Sequence, residues 1–497
     1  MPLFRRVRAV AVSAALLTTG CLTIAPLAGA DPAGEFSPEC RQPGPVLRYL
    51  VVFDRGTSEQ TATGDILAAC GTTTVYYPQI AVAVATSPDP DFLRRIGPDR
   101  AYSAQAEAVS SRTGTATRRK VDEVETNQRT ARGTTGPAPD RTAEQWNMAM
   151  IRADEAHKIT LGSRSVVVGV LDSGVDADHP DLAGALDPTL SAGCLTGRPN
   201  SSPSAWTATT SPHGTHVAGI IAAADDGHGI TGVAPGVRIA SVKVVDDDGY
   251  IYPEYAVCGF MWAASTGMSI TNSSYYIDPW VFTCAEQPGQ AVVYEAVRRA
   301  VDYAAARGVL SVAAATNGGV DLSNPGKDTR SPDNAPAGKQ RPRSLDSSCA
   351  VLPGQLRNVV AVSSVGAQRL KAGYSSYGLG AVDIAAAGGD RRQQPDGPGR
   401  SCVLSTVPDG GYDYSCGTSM AAPQVSGVAA LLASTYPGAS PSQLRRLLNN
   451  QASTIACPAD YDLNGTGVQD AFCTGYSGYN SFYGHGLVDA LAAVTVP

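Results

Sequence analysis

An α/β fold, with a mostly parallel sheet between layers of helix and a small α+β unit ahead of it, is predicted by three observations. Apolar runs such as Val166-Val167-Val168-Gly169-Val170-Leu171 alternate with helical stretches through the later part of the chain. Strands this apolar are covered on both faces, which is what parallel sheets with helical crossovers require. The first run ends in a carboxylate and a glycine turn, Asp172-Ser173-Gly174, and working residues of such sheets collect at the C-terminal ends of the strands. Upstream, two short β-rich runs flank one helical stretch, the pattern of a small α+β module.

The chain opens with Arg5, Arg6 and Arg8, an apolar run from Ala9 to Leu27, and Ala28-Gly29-Ala30 before Asp31. Positive, apolar and small-x-small segments in that order predict an export signal over residues 1–30. Cys21 after Thr19-Gly20 leaves a lipoprotein anchor as the alternative, against which stands Thr18 where a leucine-like residue is expected. No later apolar run reaches the ~18 residues of a membrane span, so a released, extracellular protein without a stable membrane anchor is expected.

Residues 31–110 hold the small module: strands at Tyr49–Phe53 and Ile80–Val84 with a helix around Ile66–Cys70 between them. Residues 111–142 lose apolar periodicity, with Arg118-Arg119-Lys120, then Glu123 and Glu125, then Gly133-Thr134-Thr135-Gly136-Pro137. Such a stretch cannot repay the entropy of ordering, so a linker within reach of a protease is expected there. From residue 143 to 497 strands are expected at Ser165–Leu171, Arg238–Val245, Met268–Ser273, Val309–Ala315 and Val359–Val365. Helices are expected at Tyr255–Ala264 and Ala291–Ala306. The second carries Val293, Ala296, Val297, Ala300, Val301 and Ala304 on one side and ends at Arg307-Gly308.

The formal charge of −7 becomes more negative once the three leading arginines leave, and nothing in it calls for a nucleic acid partner. Apart from Cys21 the cysteines are even in number, and no Cys-x-x-Cys spacing is present. In an exported chain that parity reads as disulfides, with Cys402–Cys416 and Cys457–Cys473 the short-range pairs to expect.

Three stretches carry chemistry. Gly417-Thr418-Ser419-Met420-Ala421-Ala422-Pro423 opens a helix too apolar for the surface, so a hydroxyl stands where a helix N-terminus stabilises an anion. Taken alone it is weak evidence, because a Thr-Ser pair before a helix is more often an ordinary cap. His213-Gly214-Thr215-His216-Val217-Ala218-Gly219 places a histidine at the start of another helix, and Asp172 ends the first strand. The Asp, His, Ser order of these motifs resembles the subtilisin-like serine proteases, the subtilases or peptidase S8 family, from about Trp146 to the C-terminus.

That resemblance implies a subtilisin-like three-layer fold and a secreted serine endopeptidase working on protein or peptide substrates through an acyl-enzyme, without cofactor or metal. It implies Ser419 as nucleophile, His213 as general base and Asp172 as the acceptor that orients it. It also implies Asn317, in the turn after the strand beginning at Val309, as an oxyanion donor beside the Ser419 N–H. The unit at 31–110 then resembles the family's inhibitory propeptide, a ferredoxin-like intramolecular inhibitor, with the activating cut in the linker and a monomeric mature enzyme. Two positions depart from the family. Thr316 stands where glycine usually precedes the asparagine, and Ser273-Ser274-Tyr275-Tyr276 replaces the Ser-Leu-Gly wall that pairs with the substrate backbone, keeping its serine as Ser274. Ser274, Tyr275, Tyr276 and Thr316 are therefore the candidate substrate-binding residues, and the added bulk implies a narrowed specificity pocket. Two further readings stay open: a processing protease dedicated to few substrates, and an inactive subtilase fold serving as a binding module.

Other residues have plainer accounts. His213 and His216 are three apart and lack the glutamate of a zinc helix, so packing is expected for His216, as is an architectural role for His179. His157, His228 and His485 have no evident partner. Asp246-Asp247-Asp248 reads as a solvated turn or as a subsite for basic residues. Asp460, Asp462 and Asn464 open like a calcium loop, but the twelfth position is Ala471, so a disulfide-closed surface loop is the expectation. The insertion from Asp321 to Cys349 either shapes substrate access or is a loose excursion.

Overall fold

The computed structural model describes residues 40, 44–111, 138–335, 340–397 and 399–495, with side chains omitted from 108 to 111. The expected signal peptide, Cys21, and residues 112–137 of the expected linker with its activating cut lie outside the described residues.

The N-terminal unit runs Leu47–Val52 (β1), Glu59–Ala68 (α1), Thr72–Tyr77 (β2), Val82–Ser87 (β3), Phe92–Ile96 (α2), Ala101–Tyr102 (β4) and Ala104–Ser111 (α3). Its four strands form an antiparallel sheet in the order β2-β3-β1-β4, a ferredoxin-like arrangement. The period-two alternation of a strand sorts the side chains. Tyr49, Val51, Ala83 and Ala85 pack with Ile66 of α1 and Phe92 of α2, while Leu50, Val82 and Val84 face the larger domain. The predicted strands are found within a few residues. β2 was not predicted, and the helix begins earlier than expected, at a cap where Ser58 accepts the Thr61 N–H.

The larger domain begins with Trp146–Met150 (α4), Ala153–His157 (α5) and Val167–Asp172 (β5), then Pro180–Ala183 (α6), Ala192–Gly193 (β6), Pro203–Trp206 (α7) and His213–Ala222 (α8). Arg238–Lys243 (β7), Pro253–Thr266 (α9), Ile270–Ser273 (β8), Thr283–Cys284 (β9), Gln290–Ala306 (α10) and Leu310–Ala314 (β10) follow. After the short strands Lys327–Asp328 (β11), Arg343–Ser344 (β12) and Cys349–Ala350 (β13) come Val359–Val365 (β14), Ile384–Ala387 (β15), Val403–Val407 (β16) and Gly411–Ser415 (β17). The chain closes with Thr418–Thr435 (α11), Pro441–Gln451 (α12), Gly475–Tyr476 (β18), Tyr479–Asn480 (β19) and Ala490–Thr495 (α13).

Seven parallel strands form the central sheet in the order β15-β14-β10-β8-β5-β7-β6. All five predicted strands and both predicted helices are among these elements, shifted by a residue or two at their ends. β5 shows why the sequence ran apolar: Val168 and Val170 pack toward α8 and α11, while Val167 and Leu171 pack toward α9 and α10. α11 is buried from Thr418 to Leu432, as expected of a helix apolar all round.

Five disulfides close the described chain. Cys402–Cys416 and Cys457–Cys473 are the two expected pairs, joined by Cys40–Cys70, Cys194–Cys258 and Cys284–Cys349. The last of these ties down the 321–349 insertion, which is also held by an ion pair from half-buried Arg343 to buried Asp328 and by Arg343 stacked over Trp280. The insertion is thus anchored at its end and along its described length.

The outer face of the N-terminal sheet lies on α9 and α10. Arg299 Nη1 donates to the carbonyls of Phe53 (2.8 Å) and Ile80 (2.9 Å), Tyr77 donates to the Gly197 carbonyl at 2.7 Å, and Arg48 lies against Glu254 and Tyr255. Burial raises the Glu254 carboxyl to about 7, only partly countered by Arg48.

Candidate active site

Three neighbouring strands deliver their C-terminal ends to one edge of the sheet. Leu171 of β5 pairs with Ser273 of β8, and Ser273 pairs with Ala313 of β10. Asp172, the wall from Ser274 to Tyr276, and the turn Thr316-Asn317 therefore leave the sheet side by side.

Asp172 is buried, and its Oδ1 accepts the Ser173 N–H and meets His213 Nδ1, each at 2.7 Å. His213 opens α8, and Gly214 lets that helix come so close. A Cβ at 214 would overlap the Gly174 carbonyl. On its far side α8 is clasped by the β16–β17 hairpin. Ser405 Oγ donates to the His216 carbonyl (2.7 Å), Thr406 Oγ1 donates to the Thr215 carbonyl (2.8 Å), and His216 Nε2 lies 3.1 Å from the Asp413 carbonyl. Burial depresses the His216 pKa to about 3, so the ring is neutral and donates from Nε2. His216 is a packing residue, as expected.

The same hairpin, closed by Cys402–Cys416, runs straight into Gly417 and α11. Ser419 lies in the first turn. Asn317 Oδ1 accepts both the Thr418 N–H (2.9 Å) and the Thr418 hydroxyl (2.8 Å). A backbone N–H meets only an acceptor, so this pairing orients the carboxamide and sets Nδ2 on the side of Gly417, where a Cβ would stand 3.4 Å from it. Ser419 Oγ donates to the Ser274 carbonyl at 3.2 Å, and Ser274 Oγ returns a bond of 3.0 Å to the Ser419 carbonyl.

Ser274, Tyr275, Tyr276, Thr316, Asn317 and Ser419 line one cleft that opens to solvent. Tyr276 donates to Asp333 of the insertion at 2.9 Å, and Tyr275 is buried, which pushes its phenol well above the ordinary value. Thr316 has φ of +76°, the left-handed region that a β-branched residue seldom enters. Of the eight sequence-predicted site residues, Asp172 and His213 form one hydrogen-bonded pair at this sheet edge, and Ser274, Tyr275, Tyr276, Thr316, Asn317 and Ser419 line the cleft.

A family model described as the subtilase family matches residues 163–486, more than half of the chain. The chain belongs to the subtilases. It is a subtilisin-like serine endopeptidase. It is similar to fervidolysin of Fervidobacterium pennivorans, with 31% identity over 386 residues, covering 71% of this chain and 44% of fervidolysin. Subtilisin DY of Bacillus licheniformis is 30% identical over 348 residues, covering 70% of this subtilase and 97% of that protein. The solved structure of the epidermin leader peptide processing serine protease of Staphylococcus aureus superposes with a TM-score of 0.65. It covers 91% of this chain and 99% of its own, and at 20% identity the likeness concerns the fold.

Sequence reading missed three parts of this subtilase's site. The β16–β17 hairpin carried a signal, Asp409-Gly410 between β-rich runs, and both residues take positive φ. The Tyr276–Asp333 contact and the bonds from Ser376 to Thr316 join distant segments and left no local mark.

Of the residues set aside, His179 accepts the Asp181 N–H at the start of α6 and lies 3.0 Å from the Gly411 carbonyl, an architectural role. In the 460–470 loop, Asp462 accepts the Thr466 and Gly467 N–H groups and Asp470 accepts that of Leu463, so these carboxylates close the loop on itself. Asp246 likewise caps its own turn through the Asp248 and Tyr250 N–H groups.

Proposed function

We propose that this subtilase hydrolyses peptide bonds through Ser419, His213 and Asp172, with the Ser419 N–H and Asn317 Nδ2 receiving the oxyanion. The observation that carries the reading is the pairing of a buried Asp172–His213 hydrogen bond with an Asn317 side chain held against the turn that bears Ser419. His213 takes the Ser419 proton at Nε2 as the hydroxyl attacks the carbonyl carbon, then returns it to the leaving amine. Asp172 keeps the other nitrogen protonated and stabilises the imidazolium. A water molecule, activated by the same histidine, releases the acyl group. The Ser274 carbonyl is the acceptor for a substrate backbone N–H. An arriving N–H competes there with the Ser419 hydroxyl and frees it toward His213.

The N-terminal unit, covering the larger domain through Arg299, Tyr77 and Arg48, acts as the inhibitory propeptide, with its activating cut in the stretch before the larger domain. The signal at 1–30 and the five disulfides support export to an oxidising, extracellular compartment. The mature enzyme is a monomer.

A second reading, a processing protease for few substrates, is favoured by the crowded cleft, where Thr316 and Tyr276 add bulk and Asp333 holds Tyr276 in place. Digestion of a proteome-derived peptide pool by the purified enzyme, with a Ser419→Ala control, tests both by mass spectrometry. Cleavage confined to small residues before the scissile bond supports the narrowed pocket. Cleavage at few peptides in the whole pool supports the dedicated role, and no cleavage beyond the control rejects the enzyme.

A further inference from the structure

We propose that Ser376 is a positioning residue for the oxyanion turn, acting through Thr316 to keep Asn317 aimed at Ser419. The inference rests on the reading of Asn317 as an oxyanion donor.

Thr316 has φ of +76°, where a Cβ and above all a branched one is crowded by the backbone, so its own preference is to leave that conformation. A residue held this way persists only where its surroundings over-determine it. Ser376 supplies the constraint at both ends of the threonine. Its N–H donates to the Thr316 carbonyl at 3.0 Å, and its hydroxyl lies 3.0 Å from the Thr316 hydroxyl. The same oxygen accepts the Val320 N–H at 3.3 Å, so one buried side chain grips the turn on either side of Asn317.

Ser376 is itself braced. Ser375 Oγ donates to the Ser376 carbonyl at 3.1 Å, and the Ser375 carbonyl accepts the buried Lys371 ammonium at 2.8 Å. Three aromatic rings, those of Tyr377, Tyr461 and Phe482, surround that ammonium at 5.1 to 5.3 Å. The brace thus reaches from the interior to the turn, and no part of it lines the cleft. A glycine at 316 would take the left-handed conformation unaided and offer no hydroxyl to hold. The bond between the two hydroxyls is therefore needed only with the threonine, while the Val320 N–H keeps the Ser376 oxygen as its acceptor in either case.

The experiment is a double-mutant cycle of Ser376→Ala and Thr316→Gly, read as kcat and KM on one peptide substrate, with active sites titrated so that only folded enzyme counts. Ser376→Ala is expected to lower kcat about tenfold with KM changed less than about twofold. Ser376→Cys, which removes the hydroxyl at similar volume, carries the same expectation should the alanine variant fold poorly. Added to Thr316→Gly, the same substitution is expected to change kcat by less than about twofold. Equal losses in the two backgrounds, or an unchanged kcat in the Thr316 enzyme, overturn the inference. Asn317→Ala separates the two layers of the argument. A loss of about 100- to 1000-fold in its kcat with none for Ser376→Ala rejects the positioning role alone. No loss for Asn317→Ala rejects the reading beneath it as well.

Discussion

Ser274 and Ser419 exchange hydrogen bonds, each hydroxyl donating to the other residue's carbonyl, at 3.0 and 3.2 Å. The exchange locks the end of β8 to the first turn of α11 and fixes the Ser419 side chain against the segment from Ser274 to Tyr276. Ser274→Ala removes one donor and leaves the Ser419 carbonyl short of a partner, which costs about 1 kcal/mol. A fall in kcat/KM of about five- to tenfold is expected from steady-state assays, with the fold unchanged by circular dichroism.

Tyr276 closes the cleft and is held by Asp333. Tyr276→Gly opens the pocket, so kcat/KM for substrates with a large apolar residue before the cut is expected to rise about tenfold or more relative to small ones. Tyr276→Phe keeps the ring and loses the bond to Asp333. It is expected to leave selectivity within about twofold while lowering stability by about 1 kcal/mol in urea denaturation.

The disulfide between Cys402 and Cys416 closes the hairpin that clasps α8 and leads into α11. Replacing both cysteines by serine frees a short loop in the unfolded chain and is expected to cost about 2 to 4 kcal/mol. Because the hairpin touches the helices of both His213 and Ser419, kcat is expected to fall as well, and both effects are measured on one preparation.

His216 supplies an acid limb to the stability profile. Its folded pKa, depressed by burial to about 3, lies below the unfolded value, so the unfolded chain binds the proton first. Stability owed to the neutral ring is complete above about pH 6.5 and is lost progressively as pH falls from there toward 3. His216→Gln keeps a donor near the Asp413 carbonyl and cannot titrate. Urea midpoints across that window are expected to fall less steeply in the variant than in the parent enzyme.

The inhibition proposed for the N-terminal unit would rest on Arg299, whose guanidinium takes two of that unit's carbonyls. Arg299→Met strands both acceptors, and the inhibition constant of the separately added unit is expected to rise about tenfold or more.

Much of this was legible in the chain. Asp172, His213 and Ser419 announce themselves because each sits where one element gives way to another, and the glycines beside them mark close approaches. Strands such as β5 and β14 were legible because burial on both faces makes them apolar throughout. β2 was not, since Thr72-Thr73-Thr74 is half exposed and has no apolar period to read. The three long-range disulfides and the Tyr276–Asp333 contact join segments tens of residues apart, and only folding brings them together. Thr316 could be seen as a departure from the family, but the left-handed backbone it adopts, and Ser376 that holds it, required coordinates.

The central claim is that Ser419 becomes a nucleophile because His213, oriented by Asp172, removes its proton. The most direct measurement is peptide mapping by mass spectrometry after treatment with a fluorophosphonate, in the parent enzyme and in His213→Ala. A single adduct on Ser419 in the parent, formed at least about a hundredfold more slowly in the variant, is the predicted result. An adduct on another residue, or equal rates of labelling in the two proteins, would contradict it.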